Sequence, residues 1–264
     1  MSDHCFVIPA YKNSAFLEKC IESLLQQSVK SDIIITTSTP TEFTKSIASK
    51  YNIPYHINNV ENAGIACDWN FALSKATANL VTIAHQDDIY AEEFSKKAIE
   101  AYHQYADFQI CFTNYADLFD QTIKSKSVYQ LIKKLLLAPI LISKESSNSF
   151  IKKWLIAFGN PISCPTVTFN KNKIGQFSFN RNYRFVVDWF AWLELSKQKG
   201  SFVYINQALI QHRIHEKSAT TNEMKDGART KEEKEILSII WGKWLGSIIA
   251  FVYQLSHYQN KPTN

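Results

Sequence analysis

The first hundred residues alternate short, continuous apolar runs with segments of helical apolar spacing, and this alternation restricts the chain more than any other feature. The runs are Cys5–Ile8, Ile33–Ile35, Tyr55–Ile57 and Leu80–Ala84; the helical segments are Ala15–Gln26, Thr41–Lys50, Ile65–Ala76 and Ala91–Tyr105. A strand that is apolar at every position must be covered on both faces, and parallel strands joined by amphipathic helices are the arrangement that covers them. The order βαβαβαβα therefore predicts an α/β fold with a mostly parallel sheet flanked by helices. In Thr39-Pro40-Thr41-Glu42 a capping Thr39, a Pro at the first helical position and a Glu at the third predict the start of the second helix.

Composition narrows what such a fold would serve. With 264 residues, 45% of them hydrophobic, the chain can fill the core of one large domain or two small ones. Its five cysteines, Cys5, Cys20, Cys67, Cys111 and Cys164, are scattered and never form a C-x-x-C pair. That spacing predicts neither a disulfide framework nor a zinc site and points to a reducing, cytoplasmic setting. Met1 runs almost directly into Cys5–Ile8, which leaves no room for an export leader. The net charge of +5 is mild, and basic residues do not alternate with aromatics, so an anionic ligand or a membrane surface is a better partner than nucleic acid. The stretch from Ile236 to Leu255 has about the length of a membrane span. It is interrupted by Gly242, Lys243 and Gly246, and Trp241, Trp244 and Tyr253 also suit a membrane interface. It is expected as a C-terminal helical extension packed on the rest of the chain or on a partner subunit, including a second copy. Peripheral contact with the inner face of the cell membrane is the other use.

Ligands of open parallel sheets sit beyond the carboxyl ends of the strands. Here those segments are Pro9-Ala10-Tyr11-Lys12, Thr36-Thr37-Ser38-Thr39, Asn58 to Gly64 and His85-Gln86-Asp87-Asp88. Two adjacent carboxylates at a strand end can hold a hard cation, Mn²⁺ or Mg²⁺, which takes few protein carboxylates and completes its shell with water and substrate phosphates. Asp87-Asp88 could equally cap a turn. Tyr11 after Pro9 is placed either to stack on a nucleobase or to pack in the core. Asn62 and Gly64 could form only a tight turn, and His212 and His215 could be ligands or plain surface residues. Asp188, ahead of Trp189, Phe190, Trp192 and Leu193, is either a helix N-cap or a base kept ionised by a helix N-terminus. Between about Lys124 and Phe158 lies a basic amphipathic region with Lys133, Lys134, Lys152 and Lys153. Its lysines would form either a solvated face or a contact with acceptor or membrane.

Taken in order, Phe6 to Asn13, the helix Leu17 to Gln26, Asn62-Ala63-Gly64-Ile65 with Trp69-Asn70, and His85-Gln86-Asp87-Asp88 resemble the family 2 glycosyltransferases of the GT-A (Rossmann-like) fold. The resemblance continues to about Thr221 through Gly175-Gln176-Phe177, Val187-Asp188-Trp189 and His212-Arg213-Ile214-His215-Glu216-Lys217-Ser218. It implies an inverting transfer of a hexose or deoxyhexose from a nucleotide diphosphate sugar to a saccharide or lipid-linked acceptor. UDP-glucose or UDP-galactose would be favoured over dTDP-rhamnose, in synthesis of bacterial surface polysaccharide or glycoconjugate. By the same resemblance Asp188 is the base, Asp88 and His215 face the metal, and Asp87 holds the ribose or the metal's water shell. Arg213 faces the diphosphate, and Pro9, Ala10, Tyr11, Thr37, Ser38, Asn62, Gly64, Asn70 and Gln86 line the donor site.

Three positions depart from the family pattern. Thr36, Thr37 and Ser38 stand where the family usually carries an Asp that contacts the base, so recognition would fall to hydroxyls or backbone. His85 replaces the first acidic residue of the common metal motif, and Trp69 replaces Arg. Residues 1–120 are expected as the nucleotide-sugar half, 121–222 as the acceptor half and 223–264 as the helical extension. Nucleotidyl transfer onto a sugar phosphate would want a Gly-rich loop after the first strand, and Pro9 to Asn13 contains no Gly. The other alternative is a catalytically silent subunit that binds nucleotide sugar or serves in assembly.

Overall fold

The computed structural model describes residues 2–61, 63–105, 107–119, 122–124, 128–214 and 227–258. Strands β1 (His4–Pro9), β2 (Asp32–Thr37), β3 (Tyr55–Ile57) and β4 (Leu80–Ile83) alternate with helices α1 (Leu17–Leu25), α2 (Glu42–Lys50) and α3 (Ile65–Lys75), as the sequence pattern predicts. These four strands pair in parallel in the order β3-β2-β1-β4. Period-two alternation sends Phe6 and Ile8 of β1 into one apolar cluster, with Leu17, Ile21 and Ile35, and Cys5 and Val7 into the other, with Ile34, Val81 and Ile83. Burial on both faces accounts for the wholly apolar centres of β1 and β2.

The sheet continues past β4 in mixed sense. Beyond the short strand β5 (Ile89–Tyr90) and helix α4 (Phe94–Gln104) come the long β6 (Phe108–Phe119) and β7 (Thr122–Lys124). Helices α5 (Val128–Leu136) and α6 (Ala138–Leu141), strand β8 (Glu145–Ser146) and helix α7 (Ser149–Leu155) follow. Strand β9 (Val167–Asn170), helices α8 (Lys171–Ile174) and α9 (Val187–Ser196), and strand β10 (Ser201–Ile214) complete this part. Strand β9 lies antiparallel between β4 and β6, and β10 runs parallel to β6. One sheet therefore passes through both expected halves, with the boundary near residue 120 unmarked in it.

Helix α2 starts two residues later than the sequence pattern places it. Thr41 is the N-cap, its hydroxyl accepts the Thr44 N–H at 3.1 Å, and Thr44 Oγ1 accepts the Thr41 N–H to close the box. Thr39 is taken elsewhere: its hydroxyl accepts the Lys12 N–H at 2.7 Å and so belongs to the loop after β1.

The apolar stretch 236–255 is not one helix. Gly242, with φ 81°, ends helix α10 (Ala228–Trp241), and helix α11 (Lys243–Tyr258) packs back against it. The left-handed φ is one that glycine adopts without cost. Among the described residues no helix is long and apolar enough to cross a membrane. The hairpin buries Ile236, Leu237 and Ala250, and Tyr253 meets the ring of Trp189 edge-on at 5.5 Å, so it packs on the rest of the chain. Trp244, Ile248, Phe251 and Val252 of α11 remain exposed.

The basic region also departs from a solvated face. Lys152 is fully buried, and its ammonium donates to the carbonyls of Leu195, Gln198 and Gly200 and to Gln109 Oε1, so it caps the C-terminal end of α9. Burial pulls it down to about 8. Lys133 is buried as well, whereas Lys134 is exposed.

Candidate active site

The carboxyl ends of β1, β2, β3 and β4 meet at one sheet edge, and their loops are tied to one another. Ala10 N–H donates to Thr36 O at 2.7 Å. The Gln86 side chain clamps the backbone of Tyr11, accepting its N–H at 3.0 Å and donating to its carbonyl at 3.2 Å. Pro9 ends β1 and Ala10 is buried, so the first side chain free of the sheet is Tyr11, whose ring is 53% exposed. An exposed aromatic ring on a clamped backbone is a ready stacking surface.

Beside it lies a carboxylate that no sequence motif singles out. Asp68 of α3 accepts the Ser38 hydroxyl at 2.8 Å through one oxygen and the Asn58 side-chain amide at 3.0 Å through the other. Ser38 follows β2 and Asn58 follows β3, so three elements converge on Asp68. Thr37 is buried, and its hydroxyl accepts the Thr39 N–H rather than facing outward. Position Gly64, at the start of α3, opens on space in which an added Cβ would meet nothing within 4 Å. Asn70 has both ends of its amide committed to the backbone of Phe179, at 2.7 and 2.9 Å, which anchors the loop after Gly175 to α3.

Asp87 and Asp88 occupy the turn between β4 and β5. Asp88 is 1% exposed, and its Oδ1 accepts both His212 Nδ1 and the Arg213 N–H at 3.0 Å. Burial pushes its carboxyl up, but the charge and hydrogen bond of His212, the charge of His85 and the Arg213 N–H outweigh that and hold it below the usual value. The His212 imidazole is correspondingly raised against its own burial by Asp88. Asp88 Oδ2 and His85 Nε2 are both buried without a hydrogen-bond partner. Asp87 is half-buried, with the Ser14 hydroxyl donating to its Oδ1 at 2.6 Å. Arg213 lies beneath the turn: its Nε donates to Asp87 O at 3.1 Å and its guanidinium sits 4.3 Å over the Phe16 ring. Trp69 stacks obliquely on His85 at 5.4 Å, filling the place of the family's Arg with an aromatic wall.

Asp188 is the second residue of α9. Its Oδ1 accepts the adjacent Trp189 N–H at 2.7 Å, and Asn160 donates to it as well. Burial raises its carboxyl above the usual value, against those hydrogen bonds and the charge of Arg229. Lys133 of α5 links this carboxylate to the Asp88 side. Its ammonium stands 4.0 Å over the Tyr115 ring, which in turn contacts His212 at 5.6 Å, and its charge acts on both Asp188 and His212. Burial pulls the Lys133 ammonium down to about 7, against the opposing charge of Asp188. The loops at the carboxyl ends of the strands thus bring together Pro9, Ala10, Tyr11, Ser38, Gln86, Asp87, Asp88 and Arg213, Asp188 is tied to them through the charge of Lys133, and Asn62 and His215 lie outside the described residues. Asp68 and Lys133 were legible only as one charged residue among many.

Residues 5–191 match the sequence profile of glycosyl transferase family 2. The chain belongs to that family. Family 2 enzymes are glycosyltransferases that use nucleotide sugars. The chain is 25% identical over 230 residues to the putative teichuronic acid biosynthesis glycosyltransferase TuaG of Bacillus subtilis, covering 85% of this chain and 84% of that one. Among solved structures it superposes on S. aureus TarS residues 1–349 in complex with UDP-GlcNAc with a TM-score of 0.66 at 14% identity, over all of this chain and 74% of that one. The Pyrobaculum calidifontis mannosyltransferase in complex with GDP-Man and Mn²⁺ gives 0.64 at 11% identity, over 99% and 76%. At these identities the structural likeness establishes the GT-A fold.

Proposed function

We propose that this family 2 glycosyltransferase moves a hexose or deoxyhexose from a UDP or dTDP sugar onto a saccharide or lipid-linked acceptor, with inversion at the anomeric carbon. The observation that carries the reading is the pairing of two carboxylate sites of opposite electrostatic character. In the Asp87-Asp88 turn, Asp88 is held anionic by His212 and the Arg213 N–H. Asp188 has a raised carboxyl suited to accepting a proton. In the reaction Asp188 takes the proton of the acceptor hydroxyl as its oxygen bonds to the anomeric carbon. The bond from that carbon to the β-phosphate oxygen breaks with its electron pair, and the nucleotide diphosphate leaves. A single displacement of this kind inverts the centre.

The residues at the turn fit a divalent cation of the Mn²⁺ or Mg²⁺ type. Among the described residues no three His, Cys, Asp or Glu side chains cluster to hold an ion by themselves. The buried, unpartnered Asp88 Oδ2 beside the half-buried Asp87 supplies the one or two carboxylates such a cation takes when substrate phosphates complete its shell. Once bound, the cation supplies positive charge against that growing on the departing diphosphate. Tyr11 stacks on the nucleobase, and Asp68, fixed by Ser38 and Asn58, accepts the ring N–H that uracil and thymine share. The likeness to the putative teichuronic acid biosynthesis glycosyltransferase of Bacillus subtilis supports a surface polysaccharide as the setting.

Calorimetric titration with UDP-glucose, UDP-galactose and dTDP-rhamnose, each with and without Mn²⁺, tests the donor half. One donor is expected to bind only with metal, Asp88→Ala to abolish that binding, and Asp68→Asn to weaken it about tenfold, near the lower end for a buried hydrogen bond to a charged group. Binding that ignores both metal and Asp88→Ala would contradict the assignment, and metal-dependent binding without turnover would return the silent-subunit reading.

A further inference from the structure

The turn that delivers Asp188 is held by helix α10, which lies wholly outside the 5–191 stretch that matches the family. The Glu232 carboxylate accepts three successive backbone N–H groups: Arg184 at 3.0 and 3.2 Å, Phe185 at 2.8 Å and Val186 at 3.2 Å. Val186 is the N-cap of α9 and offers no capping side chain. Glu232 thus ties, from another helix, the N-cap N–H and the two amides just before it, and it sets a negative charge near the positive end of the α9 dipole. One turn further along α10, Glu235 accepts the Tyr183 hydroxyl at 2.9 Å. One turn earlier Arg229, paired with Glu233 at 2.9 Å, acts on the Asp188 carboxyl by its charge. Residues 183–186 are therefore hydrogen-bonded to the first turns of α10, and Arg229 acts on Asp188 by its charge.

We propose that Glu232 is a positioning residue of the transfer reaction, a cap supplied by the C-terminal helix that fixes the first turn of α9 and with it the Asp188 carboxylate. The inference rests on the reading of Asp188 as the base. A base must stay within hydrogen-bond reach of the hydroxyl it deprotonates, and a displacement of about 1 Å from a distant mutation can cost about 10²-fold in rate. Asp188 is two residues beyond the last amide that Glu232 holds, so loosening the cap moves the base directly. Among the described residues no hydrogen bond or ion pair joins Glu232 to the Asp87-Asp88 turn, and donor binding should not sense its loss. His212 and Arg213 brace Asp88, whereas Glu232 and Glu235 brace the turn before Asp188.

The test uses the full chain and three variants, Glu232→Ala, Glu232→Gln and Tyr183→Phe, with Asp188→Asn as the control. Turnover is read as UDP release from UDP-glucose or UDP-galactose in Mn²⁺, donor affinity by calorimetry, and the cap itself by amide hydrogen exchange at Arg184, Phe185 and Val186. Glu232→Ala is expected to speed exchange at those three amides and lower kcat by about 10- to 100-fold with donor Kd unchanged. Glu232→Gln, which keeps an accepting oxygen, should recover part of the loss, and Tyr183→Phe should give a smaller fall of the same kind. Faster exchange with wild-type kcat would overturn the inference, as would a loss shared equally by kcat, donor affinity and melting temperature. If Glu232→Ala does not fold, Glu232→Gln and Tyr183→Phe decide the question by the same readouts. Should Asp188→Asn retain wild-type kcat, the base reading falls and this inference with it; should Asp188→Asn alone lose activity, only the positioning role falls.

Discussion

Asp188 is half-buried and yet must be ionised to accept a proton, and the two requirements oppose each other in stability. Its folded-state carboxyl lies above the ordinary 3.8, so the folded protein is penalised at every pH where Asp188 is charged, and the penalty vanishes below 3.8, where both states are protonated. Asp188→Asn keeps an oxygen for the Trp189 N–H and removes the charge. Its melting temperature is expected to exceed that of the wild type at neutral pH, with the difference closing as the pH falls towards 3.8; an Asn variant less stable at neutral pH would contradict the burial argument. Activity should carry an acid limb above 3.8, since protonation removes the base. At this scale Asp87, Asp88 and Asp188 were legible because they sit in local motifs next to strand or helix ends. Asp68 and Lys133 were not, because their significance comes from Ser38, Asn58, Tyr115 and His212, partners at 10 to 79 positions' remove whose approach no local pattern encodes. Asn70 shows the converse, a motif residue whose amide is spent on the Phe179 backbone 109 positions away.

Among elements, the parallel strands and their helices could be read from period and composition, since burial on both faces leaves a continuous apolar signature. The two-residue β5 could not, because it is shorter than any periodicity, and the α2 start was misplaced because two threonines compete for the cap. The hairpin of α10 and α11 was half legible: its hydrophobicity was plain, but its fold-back depends on Gly242 at positive φ. At Gly246 the helices approach so closely that an added Cβ would lie 2.6 Å from Leu237 O and from Ser238 Cα, both backbone atoms that cannot yield cheaply. Gly246→Ala should therefore pry α11 from α10 and destabilise the chain by about 1–3 kcal/mol, as overpacking of a close contact does. Chemical denaturation would measure it, and a variant as stable as the wild type would mean that the two helices do not meet there.

For the whole molecule, one sheet joins the parallel β1–β4 edge to the second half of the chain, with β9 placed between β4 and β6 and with β10 carrying His212 and Arg213 back to Asp88. The first half was legible because its loops follow one another in sequence order along a parallel sheet. The second half was legible only in its motifs, because its strands enter the sheet out of sequence order and the turn before its proposed base is held by a helix 46 residues downstream, Glu232 against Val186. The central claim is that this architecture performs a metal-assisted transfer with Asp188 as base. Its most direct test is turnover by Asp188→Asn at saturating donor and Mn²⁺, with donor affinity measured on the same protein. The expected result is unchanged affinity with kcat lower by about 10²- to 10⁴-fold, the usual contribution of a general base. An Asp188→Asn enzyme that turns over at the wild-type rate would contradict it.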